Sequence, residues 1–146
     1  MDIKIKRLTK TATIPTYATD GSGCFDLYSD GKHIDVYPGG AEIFSTGIAV
    51  SVPENHVMLI FSRSGHGFKD DVRLSNCVGV IDSDYRGEIK VKLFHDGRAF
   101  ARPLRCVNKS RIAQALVIPV EKVNFIEVEE LNETERGNGG FGSTGS

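Results

Sequence analysis

Cysteine is scarce in this sequence and nowhere paired: Cys24, Cys77 and Cys106 are odd in number, far apart, and form no CxxC. That argues against a disulfide framework and a zinc ribbon, and predicts reduced thiols in a cytoplasmic, intracellular protein. An excess of charge is missing too, since 18 Lys+Arg stand against 19 Asp+Glu for a formal net charge of -1. No global positive field draws in nucleic acid or an anionic membrane, so any anionic ligand must be met at a local site. No apolar run approaches the roughly 18 residues of a membrane span, and the opening MDIKIKRLTK lacks the apolar centre of a secretion signal. The expectation is a soluble chain without nucleic-acid or membrane partners. Internal repeats, an interdomain linker and a three-turn amphipathic helix are likewise absent from the pattern.

What the sequence has is period-two alternation. IKIKR, CFDLYS, HIDVY, EIFSTGIAVSV, VMLIF, GEIKVKLF, RIAQALVIPV and NFIEVEE all have strand length and strand composition. Turn signals separate them, among them Asp20-Gly21, Asp30-Gly31, Pro38-Gly39-Gly40, Asp96-Gly97 and Arg102-Pro103. With 146 residues and 40% hydrophobic content there is material for one core. The expectation is a single all-β domain over residues 1–135, an antiparallel sandwich, jelly roll or small barrel. After Glu135 the pattern stops, and residues 136–146, RGNGGFGSTGS, form a Gly-rich C-terminal arm.

Chemistry-bearing side chains concentrate in five stretches. FSRSGHGFK sets Arg63, Ser64 and Gly65 directly after an apolar run, where a cation, a hydroxyl and a close-approach glycine suit an oxyanion or phosphate. An ordinary surface turn is the alternative. SNCVGVIDSDYRGEIKV reads as a β-hairpin with Asp82 at its mouth, able to take a proton from water, or with Asp82 and Asp84 simply capping the turn. RIAQALVIP places Gln114 in an apolar strand, as a core hydrogen bond or a ligand contact. GSGCFDLYS offers Asp26 between Phe25 and Leu27, a structural acceptor or part of a cation site. The terminal arm resembles a phosphate loop in glycine content only, for it has no Lys and no following helix. Its backbone N–H groups, hydroxyls, single arginine and single aromatic ring suit phosphates at one end and a nucleobase at the other.

In order, GSGCFDL, SRSG, GVIDSDYRGE, RIAQ and RGNGGFGSTG resemble the motifs of the trimeric dUTP pyrophosphatase (dUTPase) family, over nearly the whole chain. The resemblance implies a homotrimer of jelly rolls with active sites shared between subunits. It further implies Mg²⁺-dependent hydrolysis of dUTP to dUMP and pyrophosphate, limiting uracil in DNA and supplying dUMP for dTMP synthesis. By matching position, Asp82 would activate the attacking water and Tyr85 would pack under the deoxyribose. Asn76, Lys90 and the backbone around Val80 and Ile81 would hold uracil and sugar. Arg63, Ser64, Gly65 and Gln114 would contact phosphates, and Asp26 would reach the metal through water. The arm would be a lid, with Phe141 over the uracil, Arg136 as an arginine finger, and Gly142, Ser143 and Thr144 around the phosphates. Gly23-Cys24 stands where the family usually has Ala-Gly, Lys109-Ser110 where Gly-Asp is frequent, and Ser62 in place of a frequent proline. The alternatives are a dCTP deaminase relative, which should lack the fifth motif, and a non-catalytic trimeric module of the same fold. A regulatory protein partner is left open.

Overall fold

The computed structural model describes residues 1–97, 101–141 and 143. Its strands are β1 (Lys4–Arg7), β2 (Thr16–Tyr17), β3 (Phe25–Tyr28), β4 (Ile34–Val36), β5 (Ala41–Ser45) and β6 (Ile48–Ser51). They continue through β7 (His56–Phe61), β8 (Val72–Leu74), β9 (Val78–Ile81), β10 (Lys90–His95), β11 (Leu104–Cys106) and β12 (Arg111–Pro119). One short helix, α1 (Ser64–Asp70), interrupts the series. The fold is all-β apart from that helix, and every strand pair is antiparallel.

Alternation does the work that the sequence pattern promised. In β10, Val91, Leu93 and His95 are buried while Lys90 and Lys92 point to solvent. A five-stranded sheet runs β2-β3-β12-β7-β9 and a three-stranded sheet runs β5-β10-β8, with the pairs β1-β6 and β11-β4 beside them. Leu27, Phe44, Met58, Leu74, Leu93 and Ile112 belong to one buried cluster that draws on both larger sheets.

Three readings of the sequence change. EIFSTGIAVSV is two strands, because Gly47 takes φ 65 and turns the chain from β5 into β6. A Cβ at Gly47 would meet Ala12 Cβ and Thr9 Oγ1 at 2.9 Å, so the turn needs glycine twice over. The stretch around Asp82 is no two-stranded hairpin. β9 pairs with β7 and β10 pairs with β5 and β8, so residues 82–89 form a corner between two sheets. NFIEVEE is no strand, for it has no partner among the described residues, and residues 121–138 are all exposed. The last strand ends at Pro119.

Helix α1 escaped the pattern because none of its residues is buried, which leaves no apolar stripe to detect. It ends at Asp71 in the left-handed conformation, φ 53. His66 lies on it, with a buried Nδ1 that has no hydrogen-bond partner among the described residues. Burial lowers the imidazole pKa, as do the guanidinium charges of Arg63 and Arg111, while Asp70 pulls the other way. The folded protein thus holds His66 neutral in a range where the unfolded chain protonates it. Stability present above the ordinary value of 6.5 is lost as the pH falls through the depressed folded value. Urea unfolding at about pH 7.5 and about pH 5.5 should show a smaller fall in midpoint for His66→Leu than for the unmodified protein. Equal falls would mean that His66 does not carry this titration.

Candidate active site

β12 carries the centre of the site because it is paired on both sides. Gln114 stands opposite Asp26 of β3 and opposite Phe61 of β7. Between Arg111 and Ala113 the β3–β12 register shifts by a bulge: Arg111 faces Tyr28, Ala113 faces Leu27, and Gln114 faces Asp26. Directly paired residues share a face, so the extra residue puts Arg111 and Gln114 on the side of Asp26. Simple alternation would have parted them. That is why sequence reading missed Arg111, and the two consecutive apolar residues Ile112 and Ala113 were the signal available.

Around Asp26, which is only 8% exposed, the charges close into a triad. Arg63 Nε donates to Asp26 Oδ1 at 3.2 Å, and Arg111 Nη1 donates to Oδ2 at 3.3 Å. Arg63 Nη1 also reaches the Arg111 carbonyl at 3.4 Å, and Gln114 Nε2 donates to the Ser62 carbonyl at 3.0 Å. Ser62 Oγ in turn accepts from the Leu74 N–H at 2.9 Å. A cleft of ≈ 370 Å³ opens here, lined by Gly23, Cys24, Asp26, Arg63, Ser64 and Gln114 among others. Two guanidiniums against one carboxylate leave it net positive. Ser64 and Gly65 form the first turn of α1, which begins at the cleft edge.

The residues of the third motif sit elsewhere. Asn76, Gly79 and Lys90 line an apolar-floored cavity of ≈ 340 Å³ with Ile60, Leu74 and Val91. Val80, 59% exposed, and Asp82 line another of ≈ 760 Å³ together with Val57 and Leu59. Ile81 turns its side chain towards the core, so only its backbone is available there. Tyr85 is 43% exposed, its hydroxyl donating to the Glu88 carbonyl at 3.0 Å and its N–H to the Asp82 carbonyl at 3.2 Å. Arg86 Nη1 holds the Ser83 and Tyr85 carbonyls at 2.6 and 2.8 Å. Lys90 Nζ lies 3.6 Å from Glu88 Oε2.

The register of β7 with β9 fixes how far apart these groups are. Phe61 pairs with Val78 and Met58 with Ile81, so Asp82 lies beside the start of β7. Arg63 follows its other end in extended conformation, φ -82 and ψ 138. From Val57 to Arg63 is six residues of extended chain, roughly 20 Å at about 3.3 Å each. One chain therefore holds the carboxylate and the cation cradle well apart. Among the described residues of the arm, no hydrogen bond reaches either cluster. Arg136 Nε donates to the Gly139 carbonyl at 2.9 Å, the Ser143 N–H bonds to the Gly140 carbonyl at 3.0 Å, and the Phe141 ring is fully exposed. Gly142 and Thr144 lie outside the described residues.

Among the described residues no group of three His, Cys, Asp or Glu side chains gathers in metal-binding array. The three cysteines are free, and burial pushes the Cys106 thiol up to about 11. No helix of the described residues is long and apolar enough to cross a membrane.

Known proteins resemble the chain in sequence or in fold. A deoxyuridine 5'-triphosphate nucleotidohydrolase of Nautilia profundicola is 45% identical over 146 residues, 99% of each chain. The enzyme of that name from Alkaliphilus metalliredigens is 42% identical, over 99% of this chain and 97% of its own. Among solved structures, the Staphylococcus bacteriophage 80alpha dUTPase with dUPNHPP superposes with a TM-score of 0.88 at 26% identity, covering 99% of both chains. The dUTPase family model matches residues 10–145, and the chain belongs to the dUTPase family.

Proposed function

We propose that the chain hydrolyses dUTP to dUMP and pyrophosphate, in a homotrimer of jelly-roll subunits whose active sites form where two copies meet. What supports this reading is the roughly 20 Å of extended strand that separates Asp82 from Arg63 within one chain, since a general base must lie within hydrogen-bond reach of a water beside the phosphate that the cations hold. Each half keeps its chemistry but neither is complete. Val123, Phe125, Ile126, Val128 and Leu131 are between 56% and 91% exposed, an apolar stretch that a neighbouring copy would cover.

In this reading Asp82 accepts a proton from water as the oxygen attacks the α-phosphorus, and pyrophosphate leaves with the electrons of the broken P–O bond. Arg63, Arg111, the Ser64 hydroxyl and the Ser64 and Gly65 N–H groups hold the phosphates. Gln114 gives one amide hydrogen to Ser62 and has another for a phosphate oxygen. Across the interface, Asn76, Lys90 and the backbone of Val80 and Ile81 take uracil and sugar, and Tyr85 packs where a 2′-hydroxyl would be. Backbone donors and acceptors select uracil over cytosine because the wrong base leaves a buried polar group unpaired.

Mg²⁺ fits this donor set as a companion of the triphosphate. Asp26 spends two of roughly four acceptor positions on guanidiniums, and the remainder can hold metal-bound water at the cleft wall. When bound, Mg²⁺ would supply neutralisation of the triphosphate's charge. Residues 136–146 act as a lid over this site, with Arg136 approaching the γ-phosphate, Phe141 covering the uracil and Gly142, Ser143 and Thr144 closing round the phosphates. An aromatic ring left wholly in solvent supports that role, as does a glycine content that lets the backbone press on a ligand.

Incubating the protein with each deoxynucleoside triphosphate and Mg²⁺ should release pyrophosphate from dUTP alone. Ammonia from dCTP would contradict the reading. Asp82→Asn should retain folding and nucleotide affinity while turnover falls by about 10²–10⁴-fold, the usual worth of a general base. Turnover near that of the unmodified protein would remove Asp82 from this role.

A further inference from the structure

The corner between β9 and β10 holds Tyr85 by an unusual fit to its own neighbour two residues on. A Cβ built on Gly87 would collide with Tyr85 Oη, and would lie 2.5 Å from Cζ and 2.9 Å from Cε2 of the same ring. Gly87 has no positive φ that would by itself demand glycine. The three atoms nearest to that Cβ all belong to the Tyr85 ring.

The surroundings of Gly87 are braced. Glu88 Oε1 accepts the Gly47 N–H at 3.0 Å, the Ile89 N–H bonds to the Ile48 carbonyl at 2.9 Å, and Thr46 Oγ1 donates to the Ile89 carbonyl at 2.5 Å. Ile89 is fully buried. The carbonyl that receives the Tyr85 hydroxyl therefore belongs to a segment tied to the turn between β5 and β6. On the opposite side, the Tyr85 N–H and the Arg86 guanidinium close the turn at residues 82–85. The ring lies flush against residue 87 with its hydroxyl seated on a fixed acceptor. Backbone and acceptor cannot move aside, whereas the half-exposed ring can.

We infer that Gly87 is a specificity-determining positioning residue: the space left by its absent Cβ is the berth from which Tyr85 reads the sugar of the substrate. The inference rests on the proposed role of Tyr85 beneath the deoxyribose. Adding one methyl group at residue 87 lifts the ring out of its berth, breaks the hydroxyl's bond to Glu88 and loosens the exclusion of a ribose 2′-hydroxyl. The fold tolerates the change, because what yields is the far end of a side chain rather than packed backbone.

The test is a double-mutant cycle read as the ratio of kcat/KM for dUTP to that for UTP. Gly87→Ala should lower that ratio about tenfold or more, a step of the size that one methyl-scale contact commands. Tyr85→Ala should lower it too, and Gly87→Ala added to Tyr85→Ala should change it no further, since the ring it displaces is gone. Thermal melting follows the same logic. Whatever Gly87→Ala loses in Tm should be restored in the Tyr85→Ala background, which keeps the inference testable if the single variant folds poorly. An unchanged ratio in Gly87→Ala, with Tyr85→Ala showing the expected fall, overturns the role of Gly87 and leaves that of Tyr85 intact. An unchanged ratio in Tyr85→Ala overturns the sugar-reading role of Tyr85 and the inference with it. Equal effects of Gly87→Ala in both backgrounds would show that residue 87 acts through something other than the ring.

Discussion

β12 is hydrogen-bonded on both edges, to β3 and to β7, and its bulge at Ile112 decides which side chains gather at the cleft around Asp26. Without the extra residue, Arg111 and Gln114 would project to opposite faces. With it, both face Asp26, and the chain beyond β7 delivers Arg63 to the same carboxylate. Two partly exposed cations share one buried acid, so the acid organises them while their spare donors remain free. Such an arrangement is worth less as a source of stability than as a means of holding guanidinium forks in one orientation. A pre-set cationic cleft follows on a chain whose overall charge is -1.

The same sheet that assembles this cleft keeps it away from Asp82. β9 can pair with β7 only in the register that buries Ile81 against the core, and a one-residue slip would expose Ile81 and bury Val80 and Asp82. The carboxylate is thereby committed to one end of β7 and the cations to the other. In the proposed assembly a neighbouring copy would cover the exposed apolar residues after Pro119, among them Phe125 and Leu131.

Much of this was legible in the sequence, and what was not has physical reasons. Alternation located β10 because it buries one face and wets the other, while β12 was legible as an apolar run of strand length. It could not say that β9 and β10 belong to different sheets, for a turn sequence such as DSDYRG serves a hairpin and a sheet-crossing corner equally well. Nor could it show that NFIEVEE has the composition of a strand without a partner among the described residues. Arg63, Gln114 and Asp26 were found by residue type and order, and the structure brings them together. Arg111 was hidden by the bulge, and α1 by having no buried face. Lys109 takes a left-handed φ of 66 in the turn before β12, a conformation that glycine enters more readily.

The central claim is that a working site takes its carboxylate from one copy and its cations from another. Chains carrying Asp82→Asn and chains carrying Arg63→Ala, each inactive by itself, can be mixed, mildly dissociated and reassembled. Mixed assemblies, verified by mass, should recover dUTP hydrolysis to a fraction set by mixing statistics, because some interfaces then pair an intact Asp82 with an intact Arg63. If verified mixed assemblies stay inactive, carboxylate and cations serve the same chain and the account is wrong.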